Sequence, residues 1–203
     1  LVTHHHADHT QGIAALKSET GCRVVGPKAE AARIKDLDGT VGGGETFTFG
    51  GKTVEVIDTP GHTSGHISFF IPSDKVAFVG DTLFAIGCGR VIEGTPEMMW
   101  QSLARLAKLP GDTVLYCGHE YTRSNANFAL TIEPENAALV ARAKEVEGLL
   151  AAGKPTLPTR LDRELETNPF LRPHIAGIRK RLGLETAADW QVFAEIRERK
   201  NRS

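Results

Sequence analysis

Near its start the chain reads Thr-His-His-His-Ala-Asp-His, which places four imidazoles and one carboxylate within six positions. If this segment follows a strand, side-chain alternation puts His4 and His6 on one face, and a turn then brings Asp8 and His9 in from another direction. His5 points the opposite way, toward packing or support of the site rather than toward a metal. The alternatives are a remnant of a histidine tag, which does not explain the acidic residue, and a solvated cluster of histidines. The motif predicts half of a metal site, so the fold must bring further ligands to this point.

Three further candidate ligands each come shortly after a predicted strand. His62 follows a strand and a Pro-Gly turn, and Asp81 and His119 follow two later strands. Ligands on loops at one edge of a rigid sheet are the usual way in which α/β proteins assemble a site. Each residue alone indicates little, but together with the first motif they give a set of seven ligands.

A set of seven imidazoles and carboxylates is too large for a tetrahedral structural site or for one catalytic zinc ion. Imidazole and carboxylate together suit zinc, iron(II) and manganese. We therefore predict two divalent metal ions per chain, zinc foremost and iron or manganese as alternatives. A structural zinc site made of cysteines is the competing interpretation, and the cysteine positions do not support it.

The chain divides into a region of strands and a region of helices. Short β-rich runs predict strands at residues 23–26, 53–58, 67–71, 75–80 and 113–117. Helices are predicted between them at 12–20, 28–35 and 96–109, the last with Thr95 as its N-cap and Pro96 at its first position. Beyond about Tyr121 strand patterns vanish, and helices are predicted at 123–130, 135–152, 175–182 and 187–200. We predict a layered α/β domain at 1–122 and an all-helical domain at 123–203.

Composition excludes several classes of protein. Of the 203 residues, 40% are hydrophobic and 24% charged, and the formal net charge is -1. No apolar run approaches the roughly 18 residues of a membrane span, and no basic excess favours binding to nucleic acid. The three cysteines lack close pairing, which argues against a disulfide framework and favours a reducing compartment. We expect a cytoplasmic monomer that acts on a small molecule and binds neither nucleic acid nor membrane.

Four motifs give the chain its resemblance to the metallo-β-lactamase superfamily: THHHADH, PGHTSGH, GDTLF and GHEYT, in this order. Further motifs resemble the glyoxalase II family, the hydroxyacylglutathione hydrolases, and these are GCGR at 87–90, EGT at 93–95 and NPFLR at 168–172. The resemblance implies an αββα sandwich followed by a C-terminal helical domain, which agrees with the division predicted from the strand and helix patterns.

The resemblance also implies a function for the seven ligands. They would bind two ions, the first through His4, His6 and His62 and the second through Asp8, His9 and His119, with Asp81 bridging both. A hydroxide that the two ions generate from water would attack an S-(2-hydroxyacyl)glutathione thioester, S-D-lactoylglutathione foremost, and a thiolate would leave. Asp8 and Asp81 would thus be catalytic as well as ligating. No GxSxG elbow offers a serine nucleophile, and we interpret Cys88 and Cys117 as packing residues.

The same resemblance implies four residues that bind the glutathione moiety, whose two carboxylates need cations. These are Arg90, Tyr121, Arg197 and Lys200. The alternatives are a surface arginine, a core tyrosine and, for the last two residues, a solvated helix face. His66 and His174 are interpreted as structural.

Two features depart from the family pattern. Ile92 stands where some members carry an aromatic residue, so one hydrogen bond to substrate is expected to be absent. The chain also begins at the ligand motif, whereas the family places several strands before it, so we expect a shortened chain with one bare face of its first sheet.

Three competing functions remain open at the level of sequence: a lactonase or β-lactamase, a persulfide dioxygenase, and a binding module with a decayed site. The dioxygenase would use a single iron. It would leave Asp8, His9 and His119 unneeded as ligands.

Overall fold

The structure is a computed structural model that describes all 203 residues, and its centre is a mixed six-stranded sheet. The strands are β1 (Val25–Pro27), β2 (Gly39–Val41), β3 (Thr46–Phe49), β4 (Lys52–Asp58), β5 (Ile67–Ile71), β6 (Val76–Gly80), β7 (Leu83–Phe84), β8 (Gly87–Cys88), β9 (Val114–Cys117) and β10 (Thr159–Arg160). The large sheet has the order β10-β9-β6-β5-β4-β3, while β1 with β2 and β7 with β8 form two small pairs.

Eight α-helices surround the sheet and build the C-terminal part. They are α1 (Ala7–Thr10), α2 (Ile13–Thr20), α3 (Pro96–Leu106), α4 (Thr122–Ile132), α5 (Ala137–Ala151), α6 (Leu161–Thr167), α7 (Ala176–Leu182) and α8 (Asp189–Asn201), with 3-10 turns at Lys28–Arg33 and Pro169–Leu171. None of these helices combines the length and apolar character that crossing a membrane would require.

The strand directions bring three loops to one edge of the sheet. Strand β5 is antiparallel to both β4 and β6, so β4 and β6 run in the same direction, and β9 is parallel to β6. The C-terminal ends of β4, β6 and β9 therefore lie at the same edge. The chain segments that leave these ends carry His62, Asp81 and His119.

Two apolar clusters cover the faces of the sheet. On one face, β4 contributes the buried Val54 and Val56, which alternate with the exposed Thr53 and Glu55 as expected for a strand with one covered face. On the other face a larger cluster joins the sheet to α3, α8 and the helical tail. All five residues of the central strand β5 are buried, because the strand is covered on both faces.

The predicted strands from 53 to 117 and the long helices are confirmed, with shifts of a few residues at their ends. Helix α3 begins as predicted, since Thr95 accepts a hydrogen bond from the backbone N–H of Met98 and Pro96 occupies the first turn. The predicted helix at 28–35 is wrong: residues 28–33 form a 3-10 turn, which suits the short connection between β1 and β2.

The prediction that strands vanish after Tyr121 is also wrong. Strand β10 pairs with β9 and extends the large sheet from within the tail, and helix α6 follows it directly. Both were missed because β10 has only two residues and α6 is a short, polar segment without a clear apolar period.

An open apolar groove lies beside the sheet, with a volume of about 330 Å³. Its lining includes Phe49, Phe78 and Tyr116, and the last two rings stack with centroids 5.3 Å apart. Phe49 and Tyr116 are exposed.

Buried polar side chains join the helical tail to the hairpin of β7 and β8. Glu164 is fully buried, pairs with Arg142 of α5, and accepts a hydrogen bond of 2.8 Å from the backbone N–H of Ile86. Ile86 has a φ of 57°, which a β-branched residue rarely adopts, so the hairpin needs external support. Asn168, from the motif at 168–172, donates to the carbonyls of Phe84 and Gly87.

We expect Arg142→Ala to destabilise the protein by about 3–5 kcal/mol, because it leaves Glu164 as an unpaired buried charge. The matched control is Arg123→Ala, which removes an exposed pair with Glu147 and should cost less than about 1 kcal/mol. Urea denaturation of both variants measures the difference. Equal losses in the two variants would contradict the importance of the buried pair.

Candidate metal centre

All seven predicted ligands meet at the edge of the sheet where β4, β6 and β9 end. Residues 4–6 do not form a strand, but Thr3 accepts a hydrogen bond from the backbone N–H of Ile67, so the segment runs beside β5. Helix α1 then supplies the predicted change of direction and carries Asp8 and His9. Residues 4–6 thus reach the site without forming the strand that the predicted alternation of side chains assumed.

Three imidazoles form the first cluster, and their ring nitrogens face one another. His6 Nδ1 lies 3.2 Å from His4 Nε2 and 3.0 Å from His62 Nε2. A neutral imidazole has one ring nitrogen without a proton, and these nitrogens converge on one point. The arrangement is that of a site able to hold a metal ion.

The second cluster consists of Asp8, His9 and His119. His119 Nε2 lies 3.3 Å from His9 Nε2 and 3.2 Å from Asp8 Oδ2. Asp8 is exposed, so this cluster is more open to solvent than the first. It too could hold a metal ion.

Asp81 lies between the two clusters. Its Oδ2 is 3.5 Å from His62 Nε2 and 3.4 Å from His119 Nε2, and its Oδ1 is 3.2 Å from His9 Nε2. Oδ1 is buried, yet no donor is aligned with it for a hydrogen bond. A buried carboxylate oxygen without a hydrogen bond, surrounded by histidine nitrogens, fits a side chain that would bind one cation on each side.

The backbone around Asp81 leaves no room for larger residues. A Cβ on Gly118 would lie 2.2 Å from Asp81 Oδ1 and 2.8 Å from His9 Cε1. Gly118 therefore permits the close approach of β9 to the carboxylate.

Burial keeps several imidazoles of the site neutral. It lowers the pKa of His4 and of His6, with further lowering from neighbouring imidazoles, and lowers the pKa of His66 to about 3. The neutral form is the one that coordinates metal ions.

The contact between Asp81 and His9 lowers the pKa of the carboxyl and raises the pKa of the imidazole. Burial raises the pKa of the Asp81 carboxyl, but the nearby His9, His62 and His119 outweigh it, so the pKa is lowered overall. Contact with Asp81 raises the pKa of His9. Asp81 is thus an anion at neutral pH.

Contacts behind the ligands hold them in orientation. His62 Nδ1 donates a 2.9 Å hydrogen bond to the carbonyl of Arg90, which leaves Nε2 free to face the cluster. His66 is fully buried, and its Nε2 accepts the backbone N–H of Asp81 at 3.1 Å while Nδ1 lies 2.8 Å from Thr59 Oγ1. His66 is structural in the sense that it fixes the backbone of Asp81. His174 is exposed.

Sequence reasoning missed Glu30, which is 1% exposed and contacts both His5 and the loop of His62. His5 faces this glutamate and points away from the two clusters. No motif in the sequence marks Glu30, because its partners are two backbone N–H groups and one imidazole from other segments.

A cavity of about 560 Å³, here called the central cavity, opens beside His62 and Asp81. Its lining includes His62, Asp81 and all four residues that the resemblance implied for substrate, namely Arg90, Tyr121, Arg197 and Lys200. The cavity thus joins the edge of the sheet to helix α8.

The four residues line this cavity in different ways. Tyr121 is exposed and stacks on the His119 ring at 5.0 Å, so it is not a core tyrosine. Arg197 is 7% exposed and donates to the carbonyl of Cys88, so it does not belong to a solvated face. Lys200 donates to Ser124, and Arg90 is exposed.

Neither cysteine near the site is prepared for nucleophilic attack. Burial raises the pKa of the Cys88 thiol to about 11 and also raises that of Cys117. Thiols with raised pKa values stay protonated at neutral pH. Both residues are therefore packing residues.

Comparisons with known proteins agree with this architecture. The family model of the metallo-beta-lactamase superfamily matches residues 1–119, and the model of the hydroxyacylglutathione hydrolase C-terminus matches residues 120–203. The chain is 58% identical to the hydroxyacylglutathione hydrolases of Brucella anthropi and Brucella ovis, over 99% of its own length and 77% and 78% of theirs.

Two solved structures share the fold. ETHE1 from Myxococcus xanthus matches with a TM-score of 0.63 and 26% identity, over 97% of this chain and 66% of that one. The protein TTHA1623, solved in a di-iron-bound form, matches with a TM-score of 0.55 and 25% identity, over 83% of this chain and 75% of that one.

The fold and the ligand cluster define the chain as an enzyme of the metallo-β-lactamase superfamily. Within that superfamily it belongs to the hydroxyacylglutathione hydrolase family, also called glyoxalase II. Membership implies a dinuclear metal site.

We expect the free energy of unfolding of the metal-free protein to fall as the pH drops below about 6.5. Burial lowers the pKa of His4 and of His66 strongly, so both stay neutral when folded but take up protons when unfolded, and acid favours the unfolded state by up to about 1.4 kcal/mol per pH unit for each. His9, whose pKa is raised, acts in the opposite direction only near and above pH 6.5, where the folded state holds its proton and the unfolded state releases it; at lower pH both states are protonated and His9 adds no slope.

Urea denaturation from pH 7.5 to pH 5 measures this slope. His174→Gln is the matched control, and it should leave the slope unchanged because that imidazole is exposed. A stability that stays flat across the range would contradict the burial of neutral imidazoles.

Proposed function

We propose that the protein hydrolyses S-(2-hydroxyacyl)glutathione thioesters, S-D-lactoylglutathione foremost, to glutathione and the hydroxy acid. The single observation that carries the proposal is the central cavity, which joins His62 and Asp81 of the metal-donor set to two cations of helix α8. The relatives named hydroxyacylglutathione hydrolase support the same substrate.

The ligand assignment belongs to the proposal. His4, His6 and His62 would hold one ion, and Asp8, His9 and His119 the other, with Asp81 shared by both. The short distances between donor atoms within each cluster and the orphaned oxygen of Asp81 support it. Zinc is the proposed metal, and a ligand set of imidazoles and carboxylates also accepts iron or manganese.

When bound, the two ions supply Lewis acidity and lower the pKa of water to about 7. The side chains of the protein position the ions and bind the substrate. Asp81 fixes the spacing of the two clusters, and Asp8 adds negative charge on the open side, where solvent enters. Arg90, Arg197 and Lys200 offer cations for the two carboxylates of glutathione, and Tyr121 offers a phenolic hydroxyl.

A thioester suits this site better than an amide. Thiolate leaves without being protonated first, whereas an amine needs a general acid. Cys88 and Cys117 cannot serve as that acid at the cluster, because both are packed in the core. Ile92 is exposed and offers no hydrogen bond, so the site lacks one contact that some family members make.

The one-iron alternative leaves three residues without a function. Asp8, His9 and His119 would have no ligand role in a persulfide dioxygenase, yet His119 Nε2 lies within hydrogen-bonding distance of both His9 Nε2 and Asp8 Oδ2. This observation favours the hydrolase.

The remaining expectations are also proposals. We place a catalytic domain at 1–122 and a substrate-binding domain at 123–203, which is helical except for β10; the contribution of α8 to the cavity supports the role of the second domain. A cytoplasmic location agrees with three free cysteines, and a monomer without nucleic acid or membrane partners agrees with the near-neutral charge.

We expect the metal-loaded protein to hydrolyse S-D-lactoylglutathione with a kcat/KM at least about 10⁴ M⁻¹s⁻¹, the lower end of the range for enzymes on their own substrates. Release of free thiol measures the rate. A β-lactam and a lactone run alongside as competing substrates. Faster hydrolysis of either one would overturn the proposal.

We expect Lys200→Ala to raise the KM for this substrate about tenfold and to leave kcat nearly unchanged, because the loss of a charged hydrogen bond to the glutathione moiety weakens binding alone. Steady-state kinetics measure both constants. Lys180→Ala is the matched control, since that lysine is exposed on α7 and does not line the cavity. An unchanged KM in the Lys200→Ala variant would instead support the alternative that Lys200 belongs to a solvated helix face.

A further inference from the structure

One buried carboxylate lies between the two chain segments that supply the first metal cluster. Glu30 comes from the 3-10 turn at 28–33 and is 1% exposed. Its Oε2 accepts hydrogen bonds from the backbone N–H of His5 at 2.7 Å and from His5 Nδ1 at 2.8 Å. Its Oε1 accepts the backbone N–H of Gly65 at 2.9 Å.

These partners belong to different segments. His5 stands between His4 and His6, and Gly65 is in the loop that carries His62. We propose that Glu30 is a positioning residue that clamps the two segments together, so that the three imidazoles of the first cluster converge. The inference rests on the ligand assignment proposed above.

The chemistry of the contact requires a carboxylate. Three N–H donors converge on the two oxygens of Glu30, and an ionised carboxylate is an acceptor at both. A glutamine would present one oxygen and one NH₂ group, so at least one N–H would face another donor. A buried donor without a partner is costly, and the segment carrying it would move.

The neighbouring contacts strengthen the clamp. A Cβ on Gly65 would lie 2.6 Å from Glu30 Cγ and 2.8 Å from Ala29 Cβ, so a glycine is needed for the loop to approach. Glu93 accepts the backbone N–H of Ser64 at 2.9 Å and lies 3.5 Å from His5 Nε2. The His5 ring is thus held between two carboxylates on the side away from the first cluster.

The test is the affinity of Glu30→Gln for zinc, measured by competition with a chelating indicator. We expect the unaltered protein to bind two ions and the variant to bind one of them at least about tenfold more weakly, with the other unchanged, as found when support behind metal ligands is removed. Glu133→Gln is the matched control. It breaks a buried pair with Arg172 in the helical tail, far from either ligand segment, and should bind both ions as the unaltered protein does.

A second variant, His5→Ala, removes one of the three hydrogen bonds and keeps the two from the backbone. We expect a smaller loss of affinity at the same ion, and this variant decides the matter if Glu30→Gln does not fold. Unchanged affinities, or equal weakening of both ions, would overturn the clamp. An unaltered protein that binds fewer than two ions would instead overturn the ligand assignment, so the two failures are distinguishable.

Discussion

Seven donor side chains bring imidazole nitrogens and carboxylate oxygens together along a single edge of the sheet. The buried Asp81 Oδ1 has no aligned donor, and a buried carboxylate oxygen without a partner is unfavourable unless a cation binds it. The strand directions make the cluster possible, since β4, β6 and β9 all end at this edge. The rest of the chain holds these ends in place and builds a cavity in front of them.

The helical tail contributes to the site in two distinct ways. Helix α8 supplies Arg197 and Lys200 to the central cavity. Glu164 and Asn168 bind the backbone of the β7–β8 hairpin, which follows Asp81 directly and holds Ile86 in a left-handed conformation. The tail is therefore part of the support of the catalytic edge as well as a wall of the cavity.

The sequence was sufficient to predict which seven donor side chains meet at this edge, the three strands that lead to it and the long helices. The candidate ligands stand shortly after apolar runs, so their position relative to the strands is visible in the sequence. Strands such as β5 have strong apolar patterns. Short elements escaped, because a two-residue strand such as β10 exists only through its pairing with β9. Glu30 also escaped. Its proposed function depends on three N–H groups from other segments of the chain, and no local sequence pattern predicts that these groups lie close to Glu30.

The buried carboxylates differ in what their oxygens receive, and this difference separates support from chemistry. Both oxygens of Glu30 accept N–H groups. Those of Glu164 accept from the backbone of Ile86 and from Arg142. Each is satisfied within the protein and therefore fixes backbone. Asp81 alone among these three keeps a buried oxygen without an aligned donor. Because an ionised carboxylate in a buried site needs a partner, the unsatisfied oxygen points to a cation as the missing one.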